Sequence, residues 1–147
     1  MDLGCYPISI ARFYFEDEPT TAYASGEIDP EFNVDTRVAG LLEFPQGRAL
    51  MDCSFSLPSR SDLEIVGESG VISIPRPWLP DPAAVICING KSERLPVEDQ
   101  YVNEFEHFSQ CLLKGTSPHY GPEDAILQMR VIDAVRRSME TGQPEVV

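Results

Sequence analysis

No apolar run in this chain approaches the roughly 20 residues needed to cross a bilayer, and no basic start leads into an apolar stretch. Neither a membrane span nor a secretory leader is expected, and the chain reads as cytoplasmic. Basic residues are scarce: 11 lysines and arginines stand against 24 aspartates and glutamates, a net charge of −13. That field repels nucleic acid and anionic membrane surfaces, so neither is an expected partner. Cysteine is sparse and scattered, at positions 5, 53, 87 and 111. Such spacing fits neither a zinc cluster nor a disulfide-dense secreted scaffold. Cys53, Cys87 and Cys111, among apolar neighbours, read as buried thiols in a reducing compartment. His107 and His119 form no ligand pattern, and no metal is expected.

What remains is an ordinary globular composition, 42% hydrophobic and 24% charged over 147 residues. That length implies a single domain, residues 1–147, with room for a sizeable core. Chemically able residues gather at one place, Asp2 to Tyr14. Asp2 and Tyr6 are four apart, so on a helix they share a face one turn from each other. A carboxylate and a phenol so placed can serve one pocket. Ile10 and Phe13/Tyr14 continue the row as a core-facing stripe, and Pro7 makes the first turns irregular. A second reading stands beside this one: Asp2 as a helix N-cap and Tyr6 as a half-buried aromatic with a solvated hydroxyl.

Glu18-Pro19 ends that helix, and Thr20 to Ile28 reads as a strand. Val34–Phe44 and Arg48–Leu57 alternate about Pro45-Gln46-Gly47, which predicts a β-hairpin. Leu63–Gly67 with Val71–Ile74, and Ala84–Asn89 with Ser92–Val97 about Asn89-Gly90, predict two more. Pro96 places the last of these strands at a sheet edge. The proline cluster Pro75–Pro82, which holds Trp78, reads as a loop. The ending is helical. Tyr101, Phe105, Phe108 and Leu112 step as an amphipathic helix closed by Gly115. A second helix starts at Pro122, and its apolar stripe takes in Ala125/Ile126, Met129, Ile132, Val135 and Met139. This order predicts an α+β fold, an open and mostly antiparallel β-sheet with helices packed on one face.

Several stretches taken together resemble one family. They are Asp2-Leu3-Gly4-Cys5-Tyr6-Pro7, matching a D-x-G-x-(H/Y) helix; Glu18-Pro19; Leu42 to Gly47; Leu63 to Ile72; and Gly121-Pro122-Glu123-Asp124-Ala125 through Ser138 and Gly142. The chain resembles the C-terminal domain of the Gfo/Idh/MocA oxidoreductases, in the glucose–fructose oxidoreductase and dihydrodiol dehydrogenase branch. The resemblance implies a dihydrodipicolinate reductase-like C-terminal fold that binds substrate and forms dimers, and it covers essentially the whole chain. It implies Tyr6 as general acid/base for the hydroxyl being oxidised and Asp2 as its catalytic neighbour. Arg12 and Trp78 are the candidate substrate-binding residues, Trp78 as an apolar wall for a sugar or diol ring. An unperturbed tyrosine titrates near ~10, so Tyr6 needs a nearby cation to act as a base. In the family that cation is a lysine from an E-K-P motif.

Neither E-K-P nor the Gly-rich G-x-G-x-x-G occurs in these 147 residues. No cofactor site is therefore expected in this chain, while the full-length family enzyme takes NAD or NADP from an N-terminal Rossmann domain absent here. The reading is a C-terminal half of an oxidoreductase for a sugar, polyol or related hydroxy compound, not competent alone. The alternative is a freestanding binding or assembly module of the same fold. A homodimer through the open sheet face is the expected assembly.

Overall fold

The computed structural model describes residues 1–78 and 84–147. By its internal contacts the chain divides into two compact units, residues 1–57 with 119–147, and residues 58–118. All ladders are antiparallel, as expected for the α+β class. Among the described residues the strands divide into two four-stranded sheets instead of one continuous series. Among the described residues no ladder joins the hairpin ending at Ser54 to the next strand, which begins at Asp62. Pro58 lies in that connection, and proline has no N–H to offer a ladder.

The first unit opens with α1 (Cys5–Phe15), followed by β1 (Thr21–Ile28), β2 (Asp35–Phe44) and β3 (Gly47–Ser54). Its remaining elements, at the C-terminal end, are a long helix, Pro122–Thr141, and a two-residue strand, Glu145–Val146, which sequence reasoning did not find. That short strand pairs with Thr21 and Ala22 of β1, at the opposite edge from β3. Registers in the sheet align Ala22 with Leu42, Leu42 with Ala49, and Val38 with Cys53. With side chains alternating across a strand, Ala22, Ala24, Val38, Leu42, Phe44 and Met51 turn to one face and are buried there. Ile8 and Ala11 of α1 and Val131, Ile132, Ala134 and Val135 of the long helix complete that core. Both helices therefore cover one face of the sheet. The other face carries a cross-strand row, Tyr23–Leu41–Leu50, in which Leu50 is 85% exposed.

The second unit contains β4 (Asp62–Gly67), β5 (Gly70–Pro75), β6 (Ala84–Ile88), β7 (Lys91–Leu95) and α2 (Gln100–Lys114), so the long C-terminal helix is α3 and the short strand β8. Its strands lie in chain order, with β7 at an edge, as Pro96 implied. The Asn-Gly turn between β6 and β7 forms as predicted, with Asn89 at φ 50° and Gly90 at φ 79°. The Asn89 side chain also accepts a 2.8 Å bond from the Val71 N–H and so ties one hairpin to the turn of the next. Asp99 caps α2, accepting from the N–H groups of Tyr101 and Val102. Gly115 and Gly142 end α2 and α3 in left-handed geometry, where a side chain would be strained.

Two helical stripes differ from expectation. Phe13 and Tyr14 do not face the core; Phe13 is 64% exposed, and the inward side of α1 is Ile8, Ala11, Arg12 and Phe15. On α3, Ile126 and Met129 are exposed, and the inward row runs through Gln128, Val131, Val135 and Ser138. The cause is the same in both helices. The inward rows include polar residues, Arg12 on α1 and Gln128 on α3, that a search for apolar periodicity passes over.

Candidate functional site

The start of α1 is loosely built. Asp2 to Gly4 form a turn, and Gly4 takes the N-cap position without a side-chain bond. Pro7, the third helical residue, falls in the first turn, where its missing N–H is tolerated. The backbone bonds there are long, with Tyr6 N to Leu3 O and Ile8 N to Gly4 O both 3.4 Å. Cys5 Sγ donates to the Asp2 carbonyl at 3.0 Å.

Tyr6, on the outward side of this helix, is 50% exposed, while Asp2 lies exposed in the turn before the helix and not on the helical face that the spacing predicted. Ser9, Phe13 and Glu16 follow at the 3–4 residue spacing of one helical face. The opposite face is fixed in the core by Ile8, Ala11 and Phe15, with Phe15 stacked on Phe44 at a ring separation of 4.3 Å. The core side of α1 is thus fixed, while the turn that carries Asp2 and the first helical turn that carries Tyr6 are held more loosely.

Beside the lower half of that face lies a cleft of about 410 Å³, lined by Ser9, Arg12, Phe13, Glu18, Tyr120 and Asp124, among others. Arg12 forms its inner wall and is only 8% exposed. Its guanidinium is gripped on three sides. Nε and Nη2 donate to the two carboxylate oxygens of Glu18 at 2.8 Å each, a bidentate pair. Nη2 also donates to Asp124 at 2.8 Å, and Nη1 to the Gln128 side-chain oxygen at 2.9 Å. The Glu18 bonds push the Arg12 pKa upward, burial opposes them, and Asp124 adds to the rise. The guanidinium thus holds the end of α1, the Glu18-Pro19 loop and the start of α3 together.

Asp2, Tyr6 and Arg12 all belong to the first unit, but Arg12 lines the cleft and Tyr6 does not. Trp78 belongs to the second unit and is half-buried. The rest of its proline-rich loop, from Leu79 to Pro82, lies outside the described residues. Glu18 and Asp124 stand in the stretches that carry the resemblance, but their pairing with Arg12, and Gln128 altogether, escaped sequence reasoning. The signal that could have found them was Arg12 itself, a charge among inward-facing apolar positions that requires buried partners.

Cys53 sits near the start of α1, where its Sγ would lie 3.4 Å from a Cβ added at Gly4, and its thiol is raised above its ordinary value by burial and, secondarily, by Asp35. Cys111 is buried, while Cys53 and Cys87 are half-buried. Among the described residues no group of three or more His, Cys, Asp or Glu side chains is gathered as a metal site, and no helix is long and apolar enough to cross a membrane.

Residues 1–73 match the profile of the GFO/IDH/MocA C-terminal domain. The oxidoreductase ORF334 of Rhizobium meliloti is 34% identical over 158 aligned positions, which take in 99% of this chain and 47% of that protein. A D-xylose 1-dehydrogenase (NADP(+)) of Haloferax volcanii is 31% identical, with 97% of this chain and 46% of that protein covered. In fold the chain is similar to an aldose-aldose oxidoreductase from Caulobacter crescentus, solved with glycerol, at a TM-score of 0.87 and 23% identity, over 98% of this chain and 46% of that one. The chain spans about half the length of the relatives it matches.

Proposed function

The chain belongs to the GFO/IDH/MocA C-terminal domain family, and from that premise we propose that residues 1–147 form the substrate-side and oligomerisation domain of an NAD(P)-dependent oxidoreductase. Its substrate is a sugar, polyol or related small hydroxy compound, its setting the cytoplasm, and the domain does not turn over alone. The observation that carries this reading is the outward face of α1. There a half-exposed Tyr6 stands in the first turn of a helix whose other face is locked into the core, with Asp2 exposed in the turn just before it.

In this reading Tyr6 moves the proton of the substrate hydroxyl, and Asp2 holds its electrostatic surroundings. A cation supplied by the cofactor half assists that proton transfer. The cleft beside Phe13 and Tyr120 offers aromatic walls and carboxylate acceptors suited to a hydroxylated ring. Arg12 contributes by shaping that cleft, and Trp78, in the second unit, is by itself a candidate apolar surface for a sugar or diol ring. NADP-dependent oxidation of aldoses and diols by the oxidoreductase containing this domain is the assay. Tyr6→Phe is expected to lower turnover by about 10²–10⁴-fold, and near-normal turnover would leave Tyr6 a structural residue. The chain by itself is expected to give no saturable heat with NADPH.

The same premise supports a homodimer through the open face of the first sheet. Its apolar row Tyr23–Leu41–Leu50 is flanked by the cross-strand pairs Glu43–Arg48 and Glu27–Arg37, a pattern that a two-fold axis can match to itself. Leu50→Glu in sedimentation equilibrium tests this, with a shift toward monomer expected; association unchanged by the new charge would place the interface elsewhere.

A further inference from the structure

The chain of bonds through Arg12 does not stop at the cleft. Gln128 accepts from Arg12 Nη1 on its oxygen at 2.9 Å, and its nitrogen donates to the Cys5 carbonyl, also at 2.9 Å. The two ends of the amide are thereby assigned by chemistry. A guanidinium can only donate and a carbonyl can only accept, so the oxygen must face Arg12 and the nitrogen must face Cys5. Arg12 is itself immobile, held by the bidentate grip of Glu18 and by Asp124. The Gln128 donor therefore points in one direction.

Its target is the peptide immediately before Tyr6. This is also the place where α1 is weakest, with long backbone bonds at Tyr6 and Ile8 and no side-chain N-cap. Pro7 withholds a further N–H from the same turn. An external donor on the Cys5 carbonyl fastens a turn that the helix's own bonds hold loosely. Resting on the reading of Tyr6 as the proton-transferring group, we infer that Gln128, oriented by Arg12, is a positioning residue for Tyr6. It touches no substrate; it sets the direction in which the first turn of α1 presents the phenol.

Gln128→Glu is the informative substitution. It conserves size and gives Arg12 a better partner, yet it sets a carboxylate oxygen against the Cys5 carbonyl where a donor had been. A role confined to holding Arg12 predicts an unchanged or stabilised protein. Positioning predicts two effects. In this chain, amide hydrogen exchange at Tyr6, Ile8 and Ser9 speeds up, while exchange in α3 stays as it was. In the oxidoreductase containing the domain, turnover falls by about ten- to a hundredfold, the range of a sub-ångström to ångström misplacement, with NADP affinity unchanged.

A double-mutant cycle completes the test. Gln128→Glu should do nothing further in the Tyr6→Phe background, because its effect passes through the phenol. Unchanged exchange at the first turn overturns the inference, and so does an equal loss of turnover in both backgrounds. Full turnover by Tyr6→Phe alone removes the acid–base reading and this inference with it, a result that the single variant distinguishes from the others.

Discussion

The two units of the chain are built from similar material and reach different ends. The first buries a continuous core of twelve apolar residues between one sheet face and two helices. In the second, Cys111 is the single fully buried residue among those described. Val66, Ile88, Phe105, Phe108 and Leu112 all remain exposed there. Both units have helices that end in left-handed C-caps and well-registered hairpins, so local rules alone do not separate them. What differs is whether the apolar faces find a partner. Secondary structure follows from propensity, capping and turns, but stability comes from faces that meet. The first unit has the means to hold a precise site, and both candidate catalytic residues are on it.

Removing a core side chain of the first unit should have the largest effect. Leu42 is fully buried at the centre of β2. Leu42→Ala should destabilise by about 2–5 kcal/mol, which for a chain of this size lowers the melting temperature by roughly 5–15 °C. Thermal unfolding followed by circular dichroism measures it. A melting point left where it was would mean that the first unit is no better consolidated than the second.

Next in size is the Arg12 clamp. Arg12→Leu leaves Glu18 and Asp124 facing each other without their shared cation and strips Gln128 of a donor. Removing a partner from such a network costs about 1–3 kcal/mol. The two carboxylates are partly exposed, which keeps the figure at that level. Because the guanidinium is buried, the loss should persist in high salt. A urea midpoint that recovers fully as salt is added would reduce the clamp to a surface ion pair.

Much of this molecule was legible in the sequence. The two Asn/Gly and Pro/Gly hairpins and the helix stops at Gly115 and Gly142 follow from residues whose backbone preferences are strong and local. β8 escaped because a two-residue strand carries no periodicity. On α3 the stripe is right at Ile132, Val135 and Met139, but its first turns, and the inward face of α1, differ from expectation for another reason. Burial was sought in apolar residues, whereas Arg12, Asp124 and Gln128 face inward to satisfy one another. Such a network is a long-range match between residues over a hundred positions apart, and no window along the chain contains both halves. For the site, the Asp2/Tyr6 spacing was visible, but the fastening of that turn to α3 was not.

A smaller effect in the first unit depends on pH. The Cys53 thiol is raised above its ordinary value near 9.0, mainly by burial. Above that pH the unfolded chain releases the proton while the folded state retains it, so stability falls as pH rises and is complete below it. One group changes stability by at most about 1.4 kcal/mol per pH unit. Melting curves from neutral pH to above 9 should slope downward, and Cys53→Ala should flatten the slope. A slope identical in both proteins would assign it to other groups.

The smallest expected effect bears most directly on the difference between the units. Tyr101, Phe105, Phe108 and Leu112 lie along one face of α2, and Phe105 is 70% exposed. If that face has no partner within the chain, Phe105→Ser removes apolar surface already in contact with water. Its effect on the melting temperature of the chain should then fall within the roughly ±0.5 kcal/mol of ordinary surface substitutions, although the same change in a core helix would cost about 3–5 kcal/mol. Pairing it with Leu42→Ala in the same buffer makes each the control for the other. A loss in Phe105→Ser that rivals the Leu42→Ala loss would show α2 packed in solution against part of this chain. The contrast between a consolidated first unit and an open second one would then have to be abandoned.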